Sequence, residues 1–452
     1  MKRSVQSSRR VTCCLLTALL FSGCDSDLDA GVGNTNPGLG TEKFTLFLDS
    51  SEVSITEGAD QIEVPVTLSR TQGHQGDITL SATGLNQDDE LYLSRRFTDN
   101  ELDIDEQSTS LQLALAIGPQ PIQPHSRNIL VTATDESGES NTASLIVQVN
   151  PTDKPDIYLL IGQSNMIGIS EDNSKQADPG EPDEPVSGIR QLNVTFNDDE
   201  NFSLASDFTN PEKLFDNSEP LTIALDPLHT GFQSDGSKTG MRIGLGLSFA
   251  KRAQQDTNAD IYLVPAAWSD TGFCKRDTNR LPGIGWNATQ KTNPQLSGTL
   301  LHDRAIARAD ITIAETGGIL RGILWHQGEA DSENASCAQN YAQNLTELIQ
   351  SLRTNIAQDA RGAGARGPDT DIPFIVGTMA MGGEQTPFSE NKLLVDAAHR
   401  ALPTIVGFTD FVNNDDLIPA AYPCGGGSCV HFGARALREM GGRYYERMIS
   451  LF

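Results

Sequence analysis

Ser164 stands where an apolar run stops: Ile157-Tyr-Leu-Leu-Ile161 passes directly into Gly162-Gln-Ser-Asn-Met166. Such a run reads as a buried strand. A serine at its mouth can be a plain turn residue, since Gly, Ser and Asn all favour turns. It can also be a nucleophile held at the edge of a parallel sheet, where chemistry collects at the carboxyl ends of the strands. Three other stretches stand at comparable positions. Thr239-Gly-Met-Arg-Ile-Gly244 offers Gly240 at the opening of a helix. Ile323-Leu-Trp-His-Gln-Gly-Glu-Ala-Asp331 follows an apolar strand and carries His326, Gln327 and Glu329. Val430-His431-Phe432 precedes the last helical stretch. Ser164, Gly240, Gln327 and His431 are far apart in the chain, yet each falls at a strand end or a helix start.

The elements that would position these residues can be read from periodicity. Near-continuous apolar runs occur at Ile157–Ile161, Ile261–Val264, Ile319–Trp325, Ile372–Val376 and Thr404–Phe408. Helical stretches lie between them. Tyr341, Leu345, Leu348, Ile349, Leu352 and Ile356 mark one helix face, and Leu437, Met440, Tyr444 and Met448 mark another. Strands buried on both faces and alternating with helices predict an α/β fold, a three-layer α/β/α sandwich around a parallel sheet, over residues 155–452. Residues 42–151 differ. Ile62, Val64, Val66 and Leu68 alternate with Glu63, Pro65, Thr67 and Ser69, and Leu111 to Ile117 and Leu145 to Val149 repeat the pattern. Short period-two strands between Gly, Asp and Asn turns predict an all-β sandwich of immunoglobulin or cadherin type. It holds no cysteine pair. Asp88, Asp89, Asp135 and Glu136 could bind calcium or simply be solvated loop acids. Asn150 to Pro155 is the expected hinge.

Length and charge narrow the classes further. The 452 residues suggest two or three domains, at about 150 residues each. A formal charge of -27 opposes nucleic acid as a partner, because that affinity comes from Lys and Arg meeting phosphate. Lys2, Arg3, Arg9 and Arg10 precede the apolar run Val11 to Phe21, then Ser22-Gly23-Cys24. This is a secretory signal layout over residues 1–23, too short to span a bilayer. Leu20 to Cys24 also resembles a bacterial lipobox, in which Cys24 would be lipidated; an ordinary signal peptide with a chance cysteine is the alternative. Residues 24–41, rich in Gly, Asp and Asn, read as a flexible tether. The expectation is an exported bacterial envelope protein held to a membrane by an N-terminal lipid. Beyond Cys24 lie Cys274, Cys337, Cys424 and Cys429. Four cysteines in an exported chain suggest two disulfides with three possible connectivities, here Cys274–Cys337 and Cys424–Cys429. Metal binding is the rival, without a CxxC or HxxxH spacing to support it.

Gly162 to Met166 (GQSNM), Trp325 to Glu329 (WHQGE) and Val430-His431-Phe432 before a terminal helix occur in an order that resembles the SGNH-type esterases. Within them the chain is most similar to the sialate O-acetylesterase-like family, which includes the acetylxylan esterases of carbohydrate esterase family six. Residues 219–229, 240–253 and 261–272 look like internal segments of that family, so the resemblance covers roughly residues 155–452. It implies that Ser164 attacks an acetyl carbonyl on a glycan. His431 would take the hydroxyl proton and return it to the departing sugar oxygen, since an unassisted serine is a poor nucleophile near neutral pH. It also implies an oxyanion hole of the Ser164 N–H, the Gly240 N–H and the Gln327 side-chain amide, at ~3 kcal/mol for each donor. Glycine at 240 would let its amide approach with no Cβ in the way. Met166 takes the last place of what would be a G-x-S-x-G elbow, which argues against an α/β-hydrolase.

The pattern departs at one position. Many SGNH enzymes carry Asp three residues before the catalytic His, where this chain has Ser428, which cannot stabilise an imidazolium as a carboxylate does. Glu329 is the substitute the resemblance suggests. Asp410, Asp415 and Asp416 are rivals, and a Ser–His dyad with only a backbone acceptor is possible too. On the substrate side the expected contacts are Asn165, His229, Trp268 and His326. Asp226 and His229 could line the sugar site or merely shape a loop, and His326 could be a pocket wall or a hydrogen-bonded structural residue. Trp268, Phe273 and Trp286 could stack on sugar rings or belong to the core. The implied function is a cofactor-free, metal-free serine carbohydrate O-acetylesterase. The alternative is a carbohydrate-binding or adhesion lipoprotein with an inactive esterase-like domain, motivated by Ser428. A lipase of GDSL type would call for a long apolar lid, and none is evident in the sequence.

Overall fold

Alternating sequence in the first third of the chain becomes extended structure, as a period of two requires. In the computed structural model the strands are β1 (Phe44–Leu48), β2 (Glu52–Thr56), β3 (Ile62–Arg70), β4 (Ile78–Thr83), β5 (Leu93–Phe97), β6 (Glu101–Leu102), β7 (Ser108–Ile117), β8 (His125–Asp135) and β9 (Ser140–Asn150). They form two sheets, ordered β1-β3-β7-β5 and β2-β9-β8-β4-β6. Val64, Val66 and Leu68 from one sheet meet Ile129, Val131, Leu145, Val147 and Val149 from the other in a single apolar core. The alternate residues of β3 and β9 face away from it. Asp135, one of the calcium candidates, closes the β8–β9 turn. Its Oδ1 accepts from the Ser137 hydroxyl at 2.7 Å and the Glu139 N–H at 2.8 Å. Asp88 and Asp89 lie outside the described residues, which are 44–56, 62–70, 76–83, 93–97, 101–102, 108–117, 125–168, 183–194, 203–230, 243–275, 281–289, 295–356, 372–380, 389–417 and 430–451.

From residue 156 onward the described strands and α-helices are β10 (Asp156–Gly162), α1 (Ser164–Ile167), β11 (Ile189–Leu192), α2 (Pro211–Leu214), β12 (Leu221–Ile223), α3 (Gly246–Ala253), β13 (Ile261–Pro265), α4 (Leu300–Thr316), β14 (Ile319–His326), α5 (Ala335–Asn355), β15 (Phe374–Gly377), α6 (Glu390–Ala401), β16 (Thr409–Val412) and α7 (Ala434–Ile449). One sheet runs β12-β11-β13-β10-β14-β15-β16. Every neighbouring pair is parallel except β11–β12 at the edge. β10 is central, and all seven of its residues are buried. Ile157, Leu159 and Ile161 enter one core with residues of α4, α5 and α6. Tyr158 and Leu160 enter another with residues of α3 and α7. Helices therefore cover both faces, and the fold class is α/β.

Three local expectations are corrected. Thr404–Phe408 is not a strand. Leu402–Thr404 is a 3-10 turn with Pro403 in its first positions, and Phe408 adopts φ 55°, so the chain turns before β16 begins at Thr409. Proline fixes its own φ and has no N–H to give to a sheet. The helix assigned to Gly240 starts at Gly246 among the described residues. The short strands β11 and β12 match none of the expected apolar runs, because three or four residues are too few to establish a period.

Candidate active site

The Gly162 corner is fixed by the neighbouring strand. Gly162 has φ 133°, and a Cβ there would lie 2.2 Å from the His326 carbonyl oxygen, so only glycine fits. The next amide, Gln163 N–H, donates to that same carbonyl at 2.9 Å. The chain then makes the single turn α1, closed by Gly168, whose N–H donates to the Ser164 carbonyl at 2.8 Å. Ser164 is the first residue of that turn. Its own N–H consequently has no intrahelical acceptor.

His431 arrives from the opposite end of the domain. It stands two residues before the Gly433 cap of α7. That helix is anchored by Leu437, Met440, Tyr444 and Met448, all fully buried, each worth roughly 1.5–3 kcal/mol of burial. His431 is half-buried, and its Nε2 lies 2.9 Å from Ser164 Oγ. A hydroxyl and an imidazole at that distance can exchange a proton.

Asn165, expected as a substrate contact, is 1% exposed and turned inward. Its Nδ2 donates to Glu329 Oε1 and to the Val430 carbonyl, both at 2.7 Å. Its Oδ1 accepts the Phe432 N–H at 3.1 Å. Glu329 is thus bonded to Asn165 and not to His431, and its Oε2 is buried with no hydrogen-bond partner among the described residues. Burial raises the Glu329 carboxyl above its ordinary value, with the Lys392 ammonium pulling the other way. The three rival acids are each paired with an arginine: Asp410 with Arg447, Asp415 with Arg400 and Asp416 with Arg443. Ser428 lies outside the described residues.

Gln327 is corrected as well. Its Nε2 donates to the Thr271 carbonyl at 3.0 Å and to Asp331 Oδ2 at 2.8 Å, and its Oε1 accepts from the Tyr341 hydroxyl at 3.0 Å. With both N–H groups donated inside a fully buried cluster, the side chain has none left for an oxyanion. The same cluster holds Trp325, whose Nε1 donates to Tyr341, and His399, whose Nε2 lies 2.9 Å from the Tyr341 hydroxyl. Gly328 makes the bend that separates Gln327 from Glu329. It has φ 154°, and a Cβ would press on Met379 and Val395 at 2.9 Å. His326 is fully buried rather than a pocket wall. Its Nδ1 sits 3.0 Å from the Tyr444 hydroxyl, and burial lowers its pKa to about 3.

The remaining candidates divide between core and rim. Phe273 and Trp286 are fully buried, and Trp286 Nε1 donates to the Thr271 hydroxyl. Trp268 is half-buried, stacked on Phe208 at 5.5 Å with the Arg304 guanidinium 4.5 Å from its ring. His229 is partly exposed, and its Nδ1 accepts the Ala267 N–H at 3.2 Å. Asp226 is buried and accepts the Gly244 N–H at 3.2 Å, which shapes the loop before α3. Cys274 and Cys337 form a disulfide across 63 positions of sequence. Asp331 lies beside them. The two sulfurs are bonded to each other, and the Asp331 carboxylate accepts the Phe273 and Cys274 N–H groups, so this trio acts as a brace for the loop after β13. Gly240, Cys24, Cys424 and Cys429 lie outside the described residues. The Asn165 clamp and the Asp331–Tyr341–His399 cluster had no sequence signal beyond Asp331 standing four positions after Gln327.

The chain is similar to several known proteins. The probable carbohydrate esterase At4g34215 of Arabidopsis thaliana is 26% identical over 218 residues, 46% of this chain. The match spans 66% of that relative's own length. A solved structure of that Arabidopsis protein shares 19% identity at a TM-score of 0.44, covering 66% of this chain and 98% of the other. A crystal structure of NanS shares 15% identity at the same TM-score, covering 66% and 97%. The family model described as carbohydrate esterase, sialic acid-specific acetylesterase matches residues 154–450, the stretch that holds Ser164, Glu329 and His431. Matched over that much of its 452 residues, the chain belongs to this carbohydrate esterase family.

Proposed function

We propose that this protein is a serine esterase that removes O-acetyl groups from carbohydrate. The observation that carries the reading is the 2.9 Å contact between His431 Nε2 and Ser164 Oγ. Ser164 Oγ attacks the acetyl carbonyl while His431 Nε2 accepts the hydroxyl proton. The tetrahedral oxyanion is met by the Ser164 N–H, which has no intrahelical competitor, and by the Gly240 N–H that the family resemblance implies. Collapse breaks the bond to the sugar oxygen, and His431 returns its proton to that oxygen. Water then attacks the acetyl-serine, again through His431, and acetate leaves.

His229 and Trp268, the partly exposed candidates, are the side chains proposed to meet the glycan. The N-terminal sheets are proposed to be an immunoglobulin- or cadherin-like module over residues 42–151. Cys24 is proposed to carry a lipid that holds the exported protein at the bacterial envelope. Metabolic labelling with a radioactive fatty acid would mark the wild type and not Cys24→Ala.

The test of the activity is acetate release from p-nitrophenyl acetate, acetylated xylan and O-acetylated sialic acid. Wild type is expected to turn over at least one of them, with Ser164→Ala and His431→Ala slower by about 1,000-fold or more. Equal rates for wild type and Ser164→Ala would sink the reading.

A further inference from the structure

The esterase reading leaves the carboxylate of the site without a role. Glu329 is buried beside the nucleophile, yet its hydrogen bond goes to Asn165 Nδ2 at 2.7 Å and not to the imidazole. Asn165 is covalently next to Ser164, and its amide holds the peptide on both sides of His431. The Val430 carbonyl accepts from Nδ2 at 2.7 Å, and the Phe432 N–H donates to Oδ1 at 3.1 Å. The nucleophile and the clamp on its base are therefore one residue apart in the chain. A shift of α1 would carry Ser164 and His431 together.

An amide can point either way, and only one orientation works here. With oxygen and nitrogen exchanged, two carbonyl-type oxygens would face each other at Val430 and two donors would face each other at Phe432. Glu329 adds a third contact that enforces the same orientation. Glu329 Oε1 accepts from the Asn165 amide at 2.7 Å, so it is matched by the nitrogen end of Asn165 and not by the oxygen end. The same nitrogen then has its second hydrogen directed at Val430.

We propose that Asn165 is a positioning residue that fixes His431 against Ser164, and that Glu329 acts through Asn165 by setting the direction of its amide. The inference rests on the esterase reading for its kinetic consequence, while the structural clamp can be measured without turnover. A base displaced by about 1 Å loses on the order of 100-fold in rate.

The test combines kinetics on an acetyl ester with hydrogen exchange at the Phe432 amide. Asn165→Ala is expected to lower kcat by about 10- to 100-fold with KM within about twofold, and to speed exchange at Phe432. Asn165→Asp keeps the acceptor for Phe432 but loses both donors, and is expected to lose kcat to a similar extent. Glu329→Ala is expected to lower kcat by about 10-fold and to speed the same exchange, while Glu329→Gln, whose side-chain oxygen still accepts from Asn165, restores most of both. Restoration by the neutral glutamine would separate an orienting acceptor from a charge acting on the imidazole. If Glu329→Gln instead loses as much as Glu329→Ala and shifts the acid limb of the kcat/KM profile, Glu329 acts on His431 by charge and the inference is overturned. It is overturned equally if Asn165→Ala raises KM alone, or leaves Phe432 exchange unchanged. Should Asn165→Ala fail to fold, the Glu329 pair decides. Failure of the esterase reading would look different: Ser164→Ala would match wild type while Phe432 exchange still responded to Asn165.

Discussion

Two polar clusters lie at the carboxyl ends of the adjacent strands β10 and β14, and they differ mainly in access to water. At the end of β10, Ser164 and the half-buried His431 make one contact of 2.9 Å. At the end of β14, Gln327, Tyr341, His399 and Asp331 form a sealed network, with His326 and Tyr444 beside it. Both contain histidines and hydroxyls. Burial lowers His326 and His399 to about 3, and the neighbouring His326 further opposes the charging of His399. A histidine held neutral in this way cannot cycle a proton near neutral pH. Residue type alone therefore does not assign a role in this motif set. The open cluster is suited to chemistry and the closed one holds the sheet end in place.

The largest effect that could break the comparison is at the open cluster. His431→Ala is expected to lower kcat by about 1,000- to 10,000-fold. Its urea midpoint should stay close to wild type, as checked by paired kinetics and denaturation. Next comes acid stability, which belongs to the closed cluster. His326 and His399 bind protons in the unfolded chain near 6.5 but in the folded chain only near 3. Stability is therefore present above pH 6.5 and is lost as the pH falls toward 3, on the order of several kcal/mol. His399→Phe should remove about one proton from the slope of stability against pH. Glu329 works in the opposite sense, because its carboxyl is raised: it adds stability in acid that fades as the pH rises above its ordinary value.

Smaller again is the brace beside the closed cluster. Replacing Cys274 and Cys337 with serine opens a loop of sequence separation 63 and should cost about 4 kcal/mol in urea unfolding. Activity per folded molecule should hardly change. The smallest effect is expected at the rim, where Trp268→Ala should raise KM for a glycan by about 10-fold, or 1.4 kcal/mol, and leave p-nitrophenyl acetate nearly untouched. An equal change on both substrates would move Trp268 from the rim to the core.

How much of this was legible before folding depends on the length of each signal. The runs behind β10, β13 and β14 are apolar over five residues or more, so the central parallel strands could be located. The period-two strands around Val64 to Leu68 and Leu145 to Val149 were equally plain. Ser164 and His431 were legible because each stands at the boundary between a long element and a short turn. The failures share a cause. Gln327, His326 and Asn165 are polar residues in motif positions, and sequence alone does not say which way a polar side chain turns at a strand end. Gln327 turned toward Asp331 and Tyr341, and Asn165 toward Val430 and Phe432, partners as many as 267 positions away. Thr404–Phe408 failed for a local reason, since Pro403 and the left-handed Phe408 outweigh apolar composition.

The most direct measurement of the central claim is to trap the acetyl-enzyme. Rapid acid quench of the protein with an acetyl ester, followed by peptide mass spectrometry, should find the acetyl group on the peptide that contains Ser164. It should accumulate when deacetylation is slowed and be missing from Ser164→Ala. Acetate released at the wild-type rate by Ser164→Ala, or an acetyl group mapped to another residue in the wild type, would contradict the account.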